Sequence, residues 1–201
     1  MKLLIVRHAE TPHNIKKILQ GHSEIGLSKK GKAQAKKLTE RLLKEKVDII
    51  YCSDLIRARE TIKPFLKLNK IPVVYTKHLR ERNLGIFEGK KLVKFLKWIK
   101  EEGYSESSNF NFKIPGGESF QDLKKRTSEF LKTLIKKEKG KNVLLVTHGG
   151  TKVALLLSLF NKKEKTHYKK YASSNAALSI ISIRDNGKHK TRLLNSIAHL
   201  Q

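Results

Sequence analysis

The sequence predicts an α/β fold: a three-layer α/β/α sandwich with a mostly parallel central sheet and an antiparallel edge hairpin. Three observations carry that reading. Short apolar, β-rich runs stand at residues 2–6, 47–52 and 143–147. Between them, apolar residues recur every three to four positions, as on the buried face of a helix. The chain then closes with two alternating segments, 177–184 and 189–195, around Asn186-Gly187, a strong two-residue hairpin signal. Strands that alternate with helices imply a layered domain built on a mostly parallel sheet.

Each element has its own justification. Lys2-Leu3-Leu4-Ile5-Val6 is a buried strand, followed by a polar, irregular stretch from Arg7 to Leu27. Ser28 caps a helix over about 29–45, with Ala35, Leu38 and Leu42 on one face. Val47–Cys52 is the second strand, and a helix from about Leu55 to Leu68 is expected to be interrupted or bent near Pro64. Pro72–Tyr75 makes a third, short strand, and Leu92, Phe95, Leu96 and Ile99 mark an amphipathic helix. Gly103–Gly117 has the composition of a loop. Glu118–Lys137 keeps the clearest 3.6-residue period, through Phe120, Leu123, Thr127, Phe130, Leu131, Leu134 and Ile135. Val143–Thr147 is an apolar strand, and a helix follows over about Thr151–Phe160. The chain is expected to form a single domain over 1–201, with a small cap at about 84–117.

Composition narrows the function. The 201 residues carry 44 Lys+Arg against 18 Asp+Glu, a formal charge of +26. Lysine supplies 35 of these cations and is spread along helices and turns, the pattern of solvated faces. Such a charge speaks to solubility and non-specific binding. The nine arginines are more telling, because five of them (Arg7, Arg57, Arg59, Arg80 and Arg82) fall in three short segments. A guanidinium holds a phosphate bidentately, whereas an ammonium is a point charge. A single cysteine, Cys52, excludes an internal disulfide framework and a cysteine zinc site. No apolar run approaches the roughly 18 residues of a membrane helix, and residues 3–6 are too short for a signal-peptide core. A soluble, cytoplasmic protein without membrane or specific nucleic-acid partners is the expectation.

In open α/β sheets, ligands bind beyond the carboxyl ends of the strands. The first strand ends in Arg7-His8 and the strand at 143–147 in His148-Gly149-Gly150; the second ends in Ser53-Asp54, with Arg57 just beyond. Two histidines and two arginines should therefore converge on one crevice. A neutral imidazole at His8 can attack phosphorus if its other nitrogen is held as N–H by a backbone carbonyl. Arg7 would hold the phosphoryl oxygens beside it, and Asn14 could donate one more hydrogen bond. Asp54 reads as a cap for the helix that carries Arg57, and Glu88 as solvent-facing. His13, His22 and His78 read as surface or rim residues, and Arg59 as pointing away from Arg57.

These segments resemble the histidine phosphatase superfamily, which includes the cofactor-dependent phosphoglycerate mutases. Arg7-His8-Ala9-Glu10-Thr11 with Asn14 is similar to its signature, and Ser53–Thr61 to its second motif. Leu79–Gly85 with Gly89 resembles the segment bearing its acid, and Val146–Gly150 the second histidine. Gln20-Gly21 and Leu27–Ala35 match the stretch between, and residues beyond about 160 carry little of the likeness. The resemblance implies that His8 is the nucleophile and becomes phosphohistidine, and that Arg7, Arg57 and His148 bind the transferring phosphoryl group. It implies that Glu81 protonates the leaving oxygen, with Asn14, Gln20, Gly21 and Gly149 as substrate contacts. Neither metal nor cofactor is expected, because the arginines and His148 supply the positive charge. Departures fall at Ala9, Pro12-His13 and Ser23–Gly26, which bear on loop shape and specificity.

The reading is a phosphomonoester hydrolase that acts on a small phosphorylated metabolite, as a monomer or homodimer. A mutase needs extra lid segments to keep water from the phosphohistidine, and 89–115 is short. Phosphoglycerate mutase is the alternative, and a basic polyanion-binding protein the second. The specificity pocket is expected from residues 13–22, 84–117 and the basic 162–170 stretch, and abundant lysine suggests substrates with more than one negative group.

Overall fold

The computed structural model describes residues 1–104, 112–184 and 187–201. Asn186 of the hairpin signal, and residues 105–111 of the expected loop, lie outside the described residues. The elements are β1 (Lys2–Arg7), α1 (Pro12–Ile15), α2 (Lys29–Leu42), β2 (Ile49–Ser53), α3 (Ile56–Leu68), β3 (Val73–Thr76), α4 (Leu92–Glu101), α5 (Phe120–Lys137), β4 (Asn142–Thr147), α6 (Gly149–Leu159), α7 (Glu164–Tyr171), β5 (Leu178–Ile183) and β6 (His189–Ser196).

The strands form one sheet in the order β3-β2-β4-β1-β5-β6. β1, β2, β3 and β4 are mutually parallel, while β5 runs antiparallel to β1 and β6 antiparallel to β5. The expected mixed α/β sheet with its antiparallel edge is thus the architecture found.

Successive strand residues point to opposite faces, and the core divides accordingly. Leu3, Ile5, Val143 and Leu145 pack on one face with residues of α5 and α6. Leu4, Val6, Leu144 and Val146 pack on the other with Leu38 and Leu42 of α2 and Ala58, Ile62 and Phe65 of α3. β1 and β4 are buried on both faces, which explains why they read as unbroken apolar runs. A separate aromatic cluster sits in the segment around α4, where Phe87, Ile99, Phe112 and Ile114 are buried against Phe95 and Trp98.

Local chemistry sets the helix starts. The Ser28 hydroxyl accepts from Gly31 N–H at 2.9 Å, as expected of a cap. Ser119 and Asp122 form a reciprocal capping box that opens α5. Two expectations need correction. α3 runs through Pro64 without interruption, because the face carrying Ala58, Ile62 and Phe65 is held against the sheet. Asp54 caps nothing: Arg80 grips both its oxygens at 2.7 Å, and Glu24 instead accepts the Ile56 N–H at 2.9 Å. Residues 164–170 of the basic stretch belong to α7 (Glu164–Tyr171), a helix the apolar pattern does not reveal.

Candidate active site

The site lies where β1, β2 and β4 end. Parallel pairing puts Arg7 beside Thr147, so the residues after each, His8 and His148, emerge side by side. Their ring centroids are 5.2 Å apart, at an interplanar angle of 54°. Both are buried.

His8 Nδ1 lies 2.7 Å from the Ala9 carbonyl. That oxygen can only accept, so Nδ1 carries the proton and Nε2 presents its lone pair. The bend that makes this contact is held by Thr61, whose hydroxyl accepts the Ala9 N–H at 2.9 Å. On the other side, Ala176 N–H and the Asn175 side chain both donate to the His8 carbonyl, at 3.1 Å each. Burial first, then the guanidinium groups of Arg57 and Arg7, hold the His8 imidazole well below the usual histidine range.

His148 is fixed through both nitrogens. Nδ1 accepts from Arg57 Nε at 3.1 Å, so Nε2 donates to the Ser53 hydroxyl at 2.8 Å. Burial, followed by the same arginines and His8, also lowers its affinity for a proton.

Arg57 is fully buried, with Nη1 donating to Ser23 O at 2.8 Å and Nη2 to Gly21 O at 2.7 Å. Burial brings its pKa to about 10, which leaves it cationic at neutral pH. Arg7 Nη1 donates to the Ser173 carbonyl, while its buried Nε has no hydrogen-bond partner among the described residues. A buried, unpartnered guanidinium nitrogen suits an anion, because such groups are otherwise paired. One turn into α6, Lys152 is fully buried and donates to the Ala177 carbonyl at 2.9 Å. Burial, with Arg7 adding to it, brings this lysine to about 7.

Glu81 is drawn to the start of α6. Thr147 Oγ1 donates to Leu79 O at 2.8 Å and Thr151 Oγ1 to Arg80 O at 2.6 Å, which anchors the segment. The Glu81 carboxylate then accepts from the backbone N–H groups of Arg82 (2.9 Å), Gly150 (3.0 Å) and Thr151 (3.2 Å). Gly150 is needed here, because a Cβ at that position would lie 2.6 Å from Glu81 Oε1.

Asn14 closes the capping box of α1. Its side-chain oxygen accepts from Thr11 N–H at 3.0 Å and from Asn175 at 3.2 Å, which leaves its NH2 for the cavity. Gln20 and Gly21 line the same recess, but Gly149 does not, although the Arg7 guanidinium lies close to it. The recess holds about 280 Å³, and Arg7, His8, Asn14, Arg57, Glu81 and Gly150 form its polar end.

The sequence reading missed several contributors. Ser53 and Thr61 stand inside the quoted second motif, so the spacing around Arg57 was the signal available. Asn175 lies where the resemblance has faded, and no local pattern marks it. Glu88 is not solvent-facing: it accepts from the His22 N–H at 2.7 Å and the Leu84 N–H at 3.2 Å. Arg59 does turn away, its guanidinium lying 5.0 Å from the Tyr75 ring centre. No lysine lines the recess, and the 162–170 stretch reaches it through Tyr168 instead.

One imidazole and two guanidinium groups around one small recess, with a second imidazole, His148, buried 5.2 Å from the first, define a centre suited to a phosphoryl group. The chain belongs to the histidine phosphatase superfamily, branch 1, whose family model matches residues 3–196. A phosphohistidine mechanism is typical of that family. The chain is 33% identical to phosphoglycerate mutase-like protein 4 of Arabidopsis thaliana over 205 residues, covering all of this chain and 87% of the relative. It is 35% identical to a metal-independent phosphoserine phosphatase of the same plant, over 92% of this chain and 77% of that one. The crystal structure of the α-ribazole phosphatase from Shigella flexneri superposes with a TM-score of 0.86 at 27% identity, covering 98% of this chain and 96% of that one.

Proposed function

We propose that this protein hydrolyses small phosphomonoesters through a phosphorylated His8. The observation that carries the reading is the state of His8: Nδ1 is tied to Ala9 O, so the lone pair is on Nε2, in a recess shared with Arg7 and Arg57, with the His148 ring 5.2 Å away.

In the first step Nε2 attacks phosphorus, the P–O ester bond breaks, and the leaving oxygen takes a proton from the Glu81 carboxyl. Glu81 Oε2 accepts the Gly150 N–H at 3.0 Å, and a carboxyl oxygen has a second lone pair to carry that proton. In the second step the Glu81 carboxylate takes a proton from water, the resulting hydroxide attacks phosphorus, and the P–N bond breaks to release phosphate and neutral His8. Splitting one displacement into two lowers each barrier. The arginines neutralise charge spread over the phosphoryl oxygens, the main demand of such a reaction. Asn14, Gln20 and Gly21 position the group. His148, its ring 5.2 Å from His8, is the remaining group assigned to the phosphoryl oxygens.

The same reading makes the protein cytoplasmic, a monomer or homodimer, with the α4 segment as a cap on one domain. It fits Cys52, a buried free thiol whose pKa burial raises. The test is release of free phosphate from glycerol 3-phosphate and 3-phosphoglycerate, the latter with and without 2,3-bisphosphoglycerate. Acid-labile phosphate on the chain, lost in His8→Ala while DNA binding persists, is expected. Isomerised phosphoglycerate without free phosphate would establish the mutase instead.

A further inference from the structure

The recess is lined in two ways. Its polar end is the phosphoryl cradle. The rest of its lining is apolar or aromatic: Leu19, Leu84, Phe95 and Phe120, with Leu123 and Tyr168 reaching back toward Gly150, Glu81 and Arg7. The wall comes from two sources. Phe120 and Leu123 are buried residues of α5. Leu19, Leu84 and Phe95 belong to the aromatic cluster around α4. Phe95 is set by its neighbours, with ring centroids 5.1 Å from Phe87 and 6.1 Å from Phe112. The wall is therefore preformed, and its contact with water is lost when an apolar group covers it.

Charge along this lining is scarce. Of 35 lysines in the chain, none lines the recess. Among the described residues, the only cation lining the recess besides Arg7 and Arg57 is Arg82. Its Nε donates to Glu118 O at 2.8 Å, its Nη2 lies 3.3 Å from Phe112 O, and its guanidinium sits 5.1 Å from the Phe112 ring centre. Those contacts fix the guanidinium against the backbone carbonyls and the ring. The lysines that make up most of the positive charge stand outside this recess.

Resting on the phosphatase reading above, we infer that the substrate is a phosphomonoester with one phosphate only, whose leaving group is uncharged and places an apolar ring or short hydrocarbon against the Phe95–Leu123 wall. This departs from the expectation, drawn from lysine content, of a multiply charged substrate. Phe95 is the residue assigned to select it.

The test compares benzyl phosphate, glycerol 3-phosphate and fructose 1,6-bisphosphate on the full chain by phosphate release. All three leave as aliphatic alcohols, so differences report binding of the leaving group and not its acidity. Benzyl phosphate is expected to have a kcat/KM about tenfold or more above glycerol 3-phosphate, the scale on which an apolar pocket discriminates, and the bisphosphate is expected to be slowest. Phe95→Ala should shrink the benzyl-to-glycerol ratio about fivefold, and Leu84→Ala reports the same ratio should the first variant fold poorly. Equal or faster turnover of the bisphosphate overturns the inference and leaves the phosphatase reading intact. A benzyl preference that neither variant moves overturns the assignment of the wall. No hydrolysis of any ester refutes the phosphatase reading itself.

Discussion

Replacing Lys152 by methionine is expected to stabilise the protein at pH 6, although it removes a hydrogen bond. The lysine is fully buried, and burial with the nearby Arg7 brings its pKa from 10.5 to about 7. The unfolded chain therefore holds this proton more tightly between pH 7 and 10.5, so stability rises with pH across that window and the whole cost is present below it. The depression of 10.5 − 7 = 3.5 units corresponds to roughly 5 kcal/mol at about 1.36 kcal/mol per unit. Methionine has similar length and no charge. It forfeits the bond to Ala177 O, about 1 kcal/mol, and that carbonyl keeps the Arg7 N–H at 3.3 Å. The net expectation is a gain of roughly 3–4 kcal/mol at pH 6, shrinking to nothing near pH 10. Urea unfolding of both proteins at pH 6, 8 and 10 reads it directly, since other titrations cancel in the difference. A variant less stable than the parent at pH 6, or a difference that ignores pH, would refute the argument.

Other perturbations follow from the same geometry. Because burial and two arginines depress the His8 and His148 imidazoles, both should stay neutral well below pH 6.5 in the empty protein. Ring-nitrogen NMR checks this, and either ring titrating at or above 6.5 contradicts it. The sign for stability is the same as for Lys152: the unfolded chain takes up these protons first, so acid destabilises. Gly150→Ala drives a Cβ to 2.6 Å from Glu81 Oε1, and displacing the carboxylate by such an amount should lower kcat about 100-fold with the fold retained by circular dichroism. Ser53→Ala leaves the His148 Nε2–H without its acceptor, at an expected loss of about 1–3 kcal/mol in denaturant unfolding; an unchanged midpoint argues against that role.

How much of this was legible differs from residue to residue. The convergence of His8, His148, Arg7 and Arg57 follows from where strands end, a rule that needs only the apolar runs to be found. Ser28 was readable because capping is local, three residues in reach. Asp54 and Glu88 were not, because Arg80 lies 26 residues from Asp54, and His22 and Ser23 lie 66 and 65 residues from Glu88, and local pattern carries no such information. α7 escaped because lysines crowd Glu164–Tyr171, so its inward Tyr168 and Tyr171 leave no continuous apolar stripe. The lysines misled for a related reason: composition counts charges without saying which side of a wall they stand on.

The aromatic cluster around α4 shares no member with the clusters on the two faces of the sheet. Substitutions there can redraw the outline of the accepted molecule while the hydrogen bonds that seat His8, His148 and Arg57 stay as they are. Reaction and choice of reactant are thus separately mutable in this architecture, so a descendant can acquire a new diet without relearning how to break the ester.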